Sequence, residues 1–429
     1  TQREDLEQAT QRLQTRSGDS LDSLAAFQAV RARAPDSDLL LFVNFKEIFS
    51  GLQKALREME AASGENEAAE ALVSPDLDDR FHLLGLDAME AAFLSLHLEA
   101  HAVRFDYGLL QAENRGLFRL MAFQPVPAVL PPFMPARSTS ASMTGFDFGQ
   151  AWEAINDILY SLEPDLAVLM QSQVKAFESM TDIRLKADLL DELGPLVYTM
   201  TLPSEAQEAT KTSPGTGTIL SGDSSESSRS NSTRSAPPST RDNQKELPAT
   251  VFLVQVHDRA AMEKTLAALL TPLGPLEDLF KTEDVEGVAL HTANHFFQDT
   301  DSMPPSISYA VADHWVMVGA APGTVMQKIL RECLHPDRPL SSRSDLSKAL
   351  AALPPGAVSI TYQDFGIFAQ RLKSTLTLLQ KNGPTASQQT RTFLPALHSA
   401  LLQGSFRISV STMQRTGEGL FGTTRWLNP

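Results

Sequence analysis

Pro195-Leu196-Val197-Tyr198-Thr199-Met200-Thr201-Leu202 and Thr250-Val251-Phe252-Leu253-Val254-Gln255-Val256 are the two stretches on which the fold turns. Both are dense in the β-branched and aromatic residues of strands. Between them, residues 204–248 are more than half Ser, Thr, Pro and Gly, with Ile219, Leu220 and Leu247 the only large apolar side chains. Such a segment buries too little surface to offset its ordering entropy and is expected to be a disordered loop. Loop closure grows costly only logarithmically with length, so the flanking strands can pair as an antiparallel hairpin with the insert as an excursion. The other reading makes the insert a linker between domains.

On either side the same grammar continues. Trp152, Ile155, Ile158, Leu159 and Leu162 form one amphipathic stripe, and Leu166, Leu169, Met170, Val174 and Phe177 form another after Pro164. A third helix is expected near Leu185 to Leu193. Past the insert, Asp258 stands where an N-cap belongs, ahead of Met262, Leu266, Leu269 and Leu270. Ile307 to Val311 and Trp315 to Val318 flank a short turn, and Thr324 is placed to cap a helix from Val325 to Cys333. Strand hairpin followed by helix thus occurs twice. The expected class is α+β, with largely antiparallel sheets and helices on one face.

A weak internal repeat spans the chain. Pro35, Ile48 and Phe49 align with Pro354, Ile367 and Phe368 at one offset, while Gln111 to Phe118 matches Gln414 to Phe421 at a shorter one. The difference implies extra chain in the first copy, near the acidic stretch from Ala61 to Arg80. Leu39 to Val43 is a strand, with Asn44 and Glu47 as a capping box for the helix that follows. Leu96 to Leu110 and Leu117 to Phe123 are the expected closing strands, turning at Asn114-Arg115-Gly116. Their counterparts are Phe406 to Met413 and Leu420 to Trp426. Two weakly similar halves result. Three units are expected: 1–140, 141–340 carrying the insert 204–248, and 341–429 resembling part of the first.

The chain has 429 residues, 36 Lys and Arg against 52 Asp and Glu, and one cysteine, Cys333. A net charge of -16 disfavours binding to nucleic-acid backbones and anionic lipid surfaces. A single thiol excludes an intrachain disulfide and a thiolate zinc site. No apolar run is long enough for a transmembrane helix. The chain opens Thr1-Gln2-Arg3 rather than with Met, which is consistent with a removed leader or anchor or with simple trimming.

Catalytic motifs are missing: there is no phosphate loop, dinucleotide fingerprint, nucleophile elbow or metalloprotease helix. No cofactor is expected. His97-Leu98-Glu99-Ala100-His101 is the one metal-like constellation, since strand alternation points His97, Glu99 and His101 to one face. On that reading the face continues as Val103, Phe105 and Tyr107, and the competing view is the polar end of an ordinary inner face. His291 and His295 form a looser pair read as surface or packing residues. Carboxylate pairs such as Asp78 with Asp79, Asp87 with Glu90, and Asp188 with Asp191 and Glu192 read as solvated charge. Cys333 falls on the inner stripe of its helix, and Trp152, Trp315 and Trp426 read as core anchors.

Pro35 to Phe49, Asp191-Glu192-Leu193-Gly194 before a strand, Val256-His257-Asp258-Arg259-Ala260 after one, Ser308 to Asp313 before Trp315 to Gly319, and Leu353-Pro354-Pro355-Gly356-Ala357 together carry a resemblance. In these stretches the chain resembles a large group of uncharacterised exported bacterial proteins, those carrying domain of unknown function 3352. The resemblance implies an extended α+β repeat layout and a periplasmic or envelope location, with no catalytic set to carry over. The expected function is a non-enzymatic binding or scaffold protein presenting a groove or extended surface to a protein or apolar ligand. A hydrolase or metal-dependent enzyme using dispersed carboxylates and histidines is the alternative.

Overall fold

The computed structural model describes residues 21–63, 77–100, 102–203, 248–275, 280–293, 306–366 and 406–427. The protein is α+β, and its strands form one antiparallel sheet of 14. In chain order they are β1 (Leu39–Asn44), β2 (Met89–Leu98), β3 (Ala102–Gln111), β4 (Phe123–Gln124), β5 (Ser140–Phe146), β6 (Leu193–Leu202) and β7 (Ala249–Val256). Then follow β8 (Phe280–Val285), β9 (Val288–Ala293), β10 (Ile307–Val311), β11 (Trp315–Ala320), β12 (Ala357–Asp364), β13 (Ile408–Thr416) and β14 (Gly419–Leu427). The helices are α1 (Ala25–Arg33), α2 (Phe45–Ser63), α3 (Leu77–Leu84), the single turn α4 (Leu117–Leu120), α5 (Phe148–Leu162), α6 (Pro164–Thr181), α7 (Arg259–Leu270), α8 (Gly323–Leu334) and α9 (Ser344–Ala351).

The strand order is β1-β2-β3-β14-β13-β12-β5-β6-β7-β11-β10-β9-β8, with β4 beside β5. β6 and β7 pair antiparallel from Leu202 with Ala249 to Leu193 with Val256, so the insert joins two neighbouring strands of one sheet. The register shifts between Leu193 and Val197, where Pro195 cannot donate to the ladder. Residues 204–247 lie outside the described residues. β12 to β14, from the expected third unit, lie between β3 and β5 of the sheet.

The first six strands in that order form a palindrome, β1-β2-β3 meeting β14-β13-β12. Helix α2 follows β1, and chain from 45 to 88 separates β1 from β2, against 365 to 407 between β12 and β13. The first copy therefore carries no extra length. Its closing strands are β2 and β3, joined between Leu98 and Ala102, and the segment around Asn114 to Phe118 is loop and α4 rather than a hairpin. The match between Gln111–Phe118 and Gln414–Phe421 is consequently not a structural equivalence, because Phe421 lies in β14 and Phe118 in α4. Ile367 and Phe368 lie outside the described residues.

Side-chain caps open some of the helices. Asp147 accepts from the Gln150 backbone N–H at 2.8 Å to open α5, and Asp258 does the same for Ala261 at 3.0 Å to open α7. Each such cap contributes about 1 kcal/mol. Asn44 accepts from the Glu47 N–H at 3.4 Å, which is half of the expected capping box. α8 starts two residues earlier than expected, at Gly323, with Pro322 at its cap and no side-chain cap from Thr324. The third helix expected at Leu185 to Leu193 is a short wide turn, Leu185–Leu190.

Cross-strand register carries single rows of side chains across the sheet. One row runs Ser95, Asp106, Thr423, Thr412, Ile360, Met143, Tyr198, Leu253, Met317. From Ile360 onward this face is the main core, where Leu253, Met317, Met143 and Met326 of α8 are almost wholly buried. The opposite face of the central strands is hydroxyl-rich: Ser142 bonds Thr199 (2.6 Å), Ser411 bonds Thr424 (2.8 Å) and Thr144 bonds Ser359 (2.9 Å).

Helices occupy both faces, which corrects the one-face expectation. α8 packs Met326, Ile329 and Leu330 into the core containing Met317, whereas α7 sets Met262 against Val316, the next residue along β11. Neighbouring residues of a strand point to opposite faces, so the two helices sandwich the sheet. α7 covers only one end of its face, near Val254, Val256 and Val316, while Phe252 and Val318 further along the same face are 52% and 42% exposed.

Cys333 on α8 is 2% exposed, and burial pushes its thiol up to about 12. As the chain's one thiol, it reports opening of the core. Under native conditions at mild alkaline pH, iodoacetamide is expected to leave Cys333 unmodified, with complete labelling in denaturant; mass spectrometry showing fast native labelling would contradict the packing of α8.

Candidate functional site

At the polar end of the core face, β3 and β14 form the seam of the palindrome. Asp106 sits opposite Thr423, and Arg104 sits opposite Arg425. On β2, Ser95 and His97 complete the same two rows. The strand break at 99–101 changes which side chains share a face. His97 continues into Arg104 and Asp106, while Val103, Phe105 and Tyr107 lie on the reverse face beside Leu98, Leu96 and Leu94. The expected apolar continuation is therefore corrected. One uninterrupted strand would keep odd-numbered residues together, and a turn between two strands resets the alternation.

His97 is nearly sealed, with its side chain 6% exposed, and its Nε2 lies 3.1 Å from Asp106 Oδ2 and 3.2 Å from Ser95 Oγ. Its Nδ1 is 3.2 Å from the Asp36 carbonyl oxygen, which ties β2 to the chain entering β1. Asp106 also accepts from Arg104 Nε at 3.0 Å and from Thr423 Oγ1 at 2.8 Å. One carboxylate thus binds three elements of the seam. Buried charges persist only when paired and hydrogen-bonded, and Asp106 meets that condition from three sides.

Glu99 stands at the strand end, where its Oε1 is 3.4 Å from Arg104 Nη1 and 3.6 Å from Arg425 Nη2. It serves as counter-ion to two guanidiniums. Both ring nitrogens of His97 have partners as well, and His101 lies outside the described residues. Among the described residues, no three metal-ligating side chains converge. Of the residues singled out as metal ligands, His97 and Glu99 sit in an ion-pair network. Glu99 lies past the end of β2, so strand alternation does not place it, and alternation carries no information about Asp106, Arg104 or Arg425, which arrive by tertiary pairing.

Beside this network lies a cleft in two adjoining parts, which share lining residues. The first, about 460 Å³, is lined by Arg33, Arg104, Asp106, Phe93, Phe421 and Thr423. The second, about 660 Å³, lies between α9 and β13 and is lined by Ala349, Leu353, Ile408, Val410 and Leu427. Ala352, Leu353 and Arg425 border both parts. Volumes of this order suit a small organic ligand.

The roof is anchored from its own first residues. Arg343 donates to Asp345 Oδ2 at 2.6 Å and to the Tyr362 hydroxyl at 2.5 Å, locking the start of α9 onto β12. Hydrogen bonding from Arg343 holds the Asp345 carboxyl below the usual range, and burial pushes the Tyr362 phenol up to about 12. Both groups therefore keep one protonation state through neutral pH, Asp345 charged and Tyr362 neutral.

The looser histidine pair is dispersed differently. His291 of β9 stacks on Tyr309 at 4.6 Å between ring centroids, and its Nδ1 lies 2.9 Å from Thr282 Oγ1, which is a packing role. Burial lowers its pKa, and His295 lies outside the described residues. Trp315 is a core anchor beside Phe133, whereas Trp426 belongs to an aromatic group with Phe105, Phe365 and Phe406 on the hydroxyl-rich face. Among the described residues no helix is long and apolar enough to cross a membrane. Comparison of the chain with known protein families, with curated proteins and with solved structures finds no match.

Proposed function

We propose that this protein is a non-enzymatic binding protein of the cell envelope, built from two weakly similar halves, whose cleft at their seam takes a ligand with a substantial apolar part. The cleft between α9 and the β13–β14 ladder is the observation that carries this reading. Its floor is sheet and its roof a pinned helix, so the cavity is pre-formed and binding loses little to reorganisation. The envelope location rests on the sequence resemblance to exported proteins. Enzymatic use of the histidines and carboxylates has less support, because His97, Glu99 and Asp106 are each engaged by charged or polar neighbours.

The neutral apolar fluorophore N-phenylnaphthylamine tests the cleft directly. Saturable enhancement at a single site is expected, lost in Ala352→Trp, which sets an indole at the point where the two parts of the cleft meet. Ala352 is exposed, so the variant should fold. Non-saturable fluorescence, or binding indifferent to Ala352→Trp, would remove this reading.

A further inference from the structure

Two guanidiniums face each other across the seam. Arg104 and Arg425 are directly opposed in the β3–β14 register, an arrangement of like charges that destabilises a sheet unless something lies between them. Their side chains are 29% and 27% exposed, so solvent screens them only in part. The nearest compensation is shared: one Glu99 oxygen serves both at the long distances given above, and Asp106 takes only the Nε of Arg104. Arg33 adds a third cation at the same wall, its guanidinium 3.8 Å above the Phe421 ring and paired outward with the exposed Glu418. In a chain of net charge -16, three guanidiniums gather at this wall against three carboxylates, Glu418, Asp106 and Glu99, of which Asp106 is held by His97 and Thr423 as well and Glu99 is divided between two arginines.

Register shows where this charge ends. The row through His97, Arg104 and Arg425 continues as Val410, Tyr362, Ala141, Met200 and Val251. The border between charge and core thus falls between Arg425 and Val410, and both residues line the larger part of the cleft. A ligand lying there along the row meets guanidinium at one end and aliphatic side chains at the other.

Resting on the binding reading above, we propose that the cleft takes an anionic amphiphile: a single carboxylate or phosphate head held between Arg104 and Arg425, with an aliphatic tail between α9 and β13 against Leu353, Ile408 and Val410. The head displaces Glu99 from its shared position, since Glu99 stands at a turn with its side chain 37% exposed and free to swing into water. Planar guanidiniums offer paired N–H groups that match carboxylate and phosphate oxygens. The tail supplies affinity by burial, and the head fixes its direction in the cleft.

Calorimetric titration of the full chain with decanoate, decyl phosphate, decanol and inorganic phosphate separates the contributions. Decanoate and decyl phosphate are expected to bind about tenfold or more tightly than decanol, and inorganic phosphate alone weakly. Arg104→Gln with Arg425→Gln should cost the two anions about tenfold or more while leaving decanol unchanged, and raised salt should weaken only the anions. Circular dichroism and thermal midpoints confirm that the variants fold. Should Arg104→Gln with Arg425→Gln unfold the chain, Arg425→Gln alone gives the same reading, because Asp106 then keeps Arg104. Decanol binding as tightly as decanoate would overturn the head-group proposal while leaving the apolar cleft intact. Tight inorganic phosphate binding would replace the amphiphile by a simple anion. Loss of N-phenylnaphthylamine binding as well would take the underlying reading down with it.

Discussion

Asp106→Ala is expected to lower the stability of the protein by about 3 kcal/mol, the cost of removing one partner from a buried ion pair. Its carboxylate is the common acceptor for Arg104 Nε, Thr423 Oγ1 and His97, in a place where the His97 side chain is 6% exposed and that of Asp106 18%. Deleting it leaves a part-buried guanidinium edge and a buried imidazole without this acceptor at the strand pair joining the two halves of the palindrome. Urea unfolding should show a lower midpoint with an unchanged slope. Asp106→Asn keeps an acceptor for Thr423 while losing the charge, and should fall between the two. For scale, removing the exposed Arg31–Asp22 pair, with side chains 62% and 66% exposed, should change stability by less than about 1 kcal/mol. If Asp106→Ala cost no more than that surface pair, the carboxylate would not be what holds the seam.

Gly116→Ala is the second large expected effect, a loss of about 3 kcal/mol or more. Gly116 has φ 55° and ψ -130° just before α4, a region in which a side chain collides with its own backbone. A Cβ there would also overlap the carbonyl of Leu84 at the end of α3. Two backbones that approach this closely leave no flexible side chain to yield, so the whole α3–α4 contact must move. Gly287 provides the contrast: its φ is 84°, but a Cβ added there would meet no atom within 4 Å, so Gly287→Ala should cost only about 1 kcal/mol. Equal thermal shifts for the two variants would show that backbone conformation alone, without the α3 contact, explains Gly116.

Gly116 also illustrates where reading the chain goes astray. As the glycine of Asn114-Arg115-Gly116 it signals a hairpin turn, yet the constraint that selects glycine comes from Leu84, over thirty residues away. The hairpin is instead formed by β2 and β3, between which no Asn-Gly or Asp-Gly signal stands. Without that turn the facing of Val103, Phe105 and Tyr107 comes out reversed, and the relation of His97 to Asp106 stays hidden. β5 is absent from the expected strands as well, although Ser140-Ala141-Ser142-Met143-Thr144 alternates small polar and apolar residues at the strand period. Its hydroxyls face a Ser/Thr ladder rather than open water, so the usual contrast between charged and apolar faces is muted. β8 and β9 are unmarked for a related reason: Lys281, Glu283 and Asp284 interrupt the apolar pattern of a strand near the sheet edge.

What the sequence by itself determined is local: the strands flanking the insert, the capping of α7 by Asp258, the buried stripe of α8 with Cys333, and the α+β class. Each follows from residues within a few positions of one another, where periodicity and capping hydrogen bonds act without reference to the rest of the chain. Tertiary structure alone decided the strand order, the placing of helices on both faces, and the meeting of Arg104 with Arg425 across β3 and β14. Those depend on which free strand edge is met by which, and backbone hydrogen bonds are the same for every candidate partner. Only the fit of whole faces, apolar row against apolar row and carboxylate against guanidinium, selects among them.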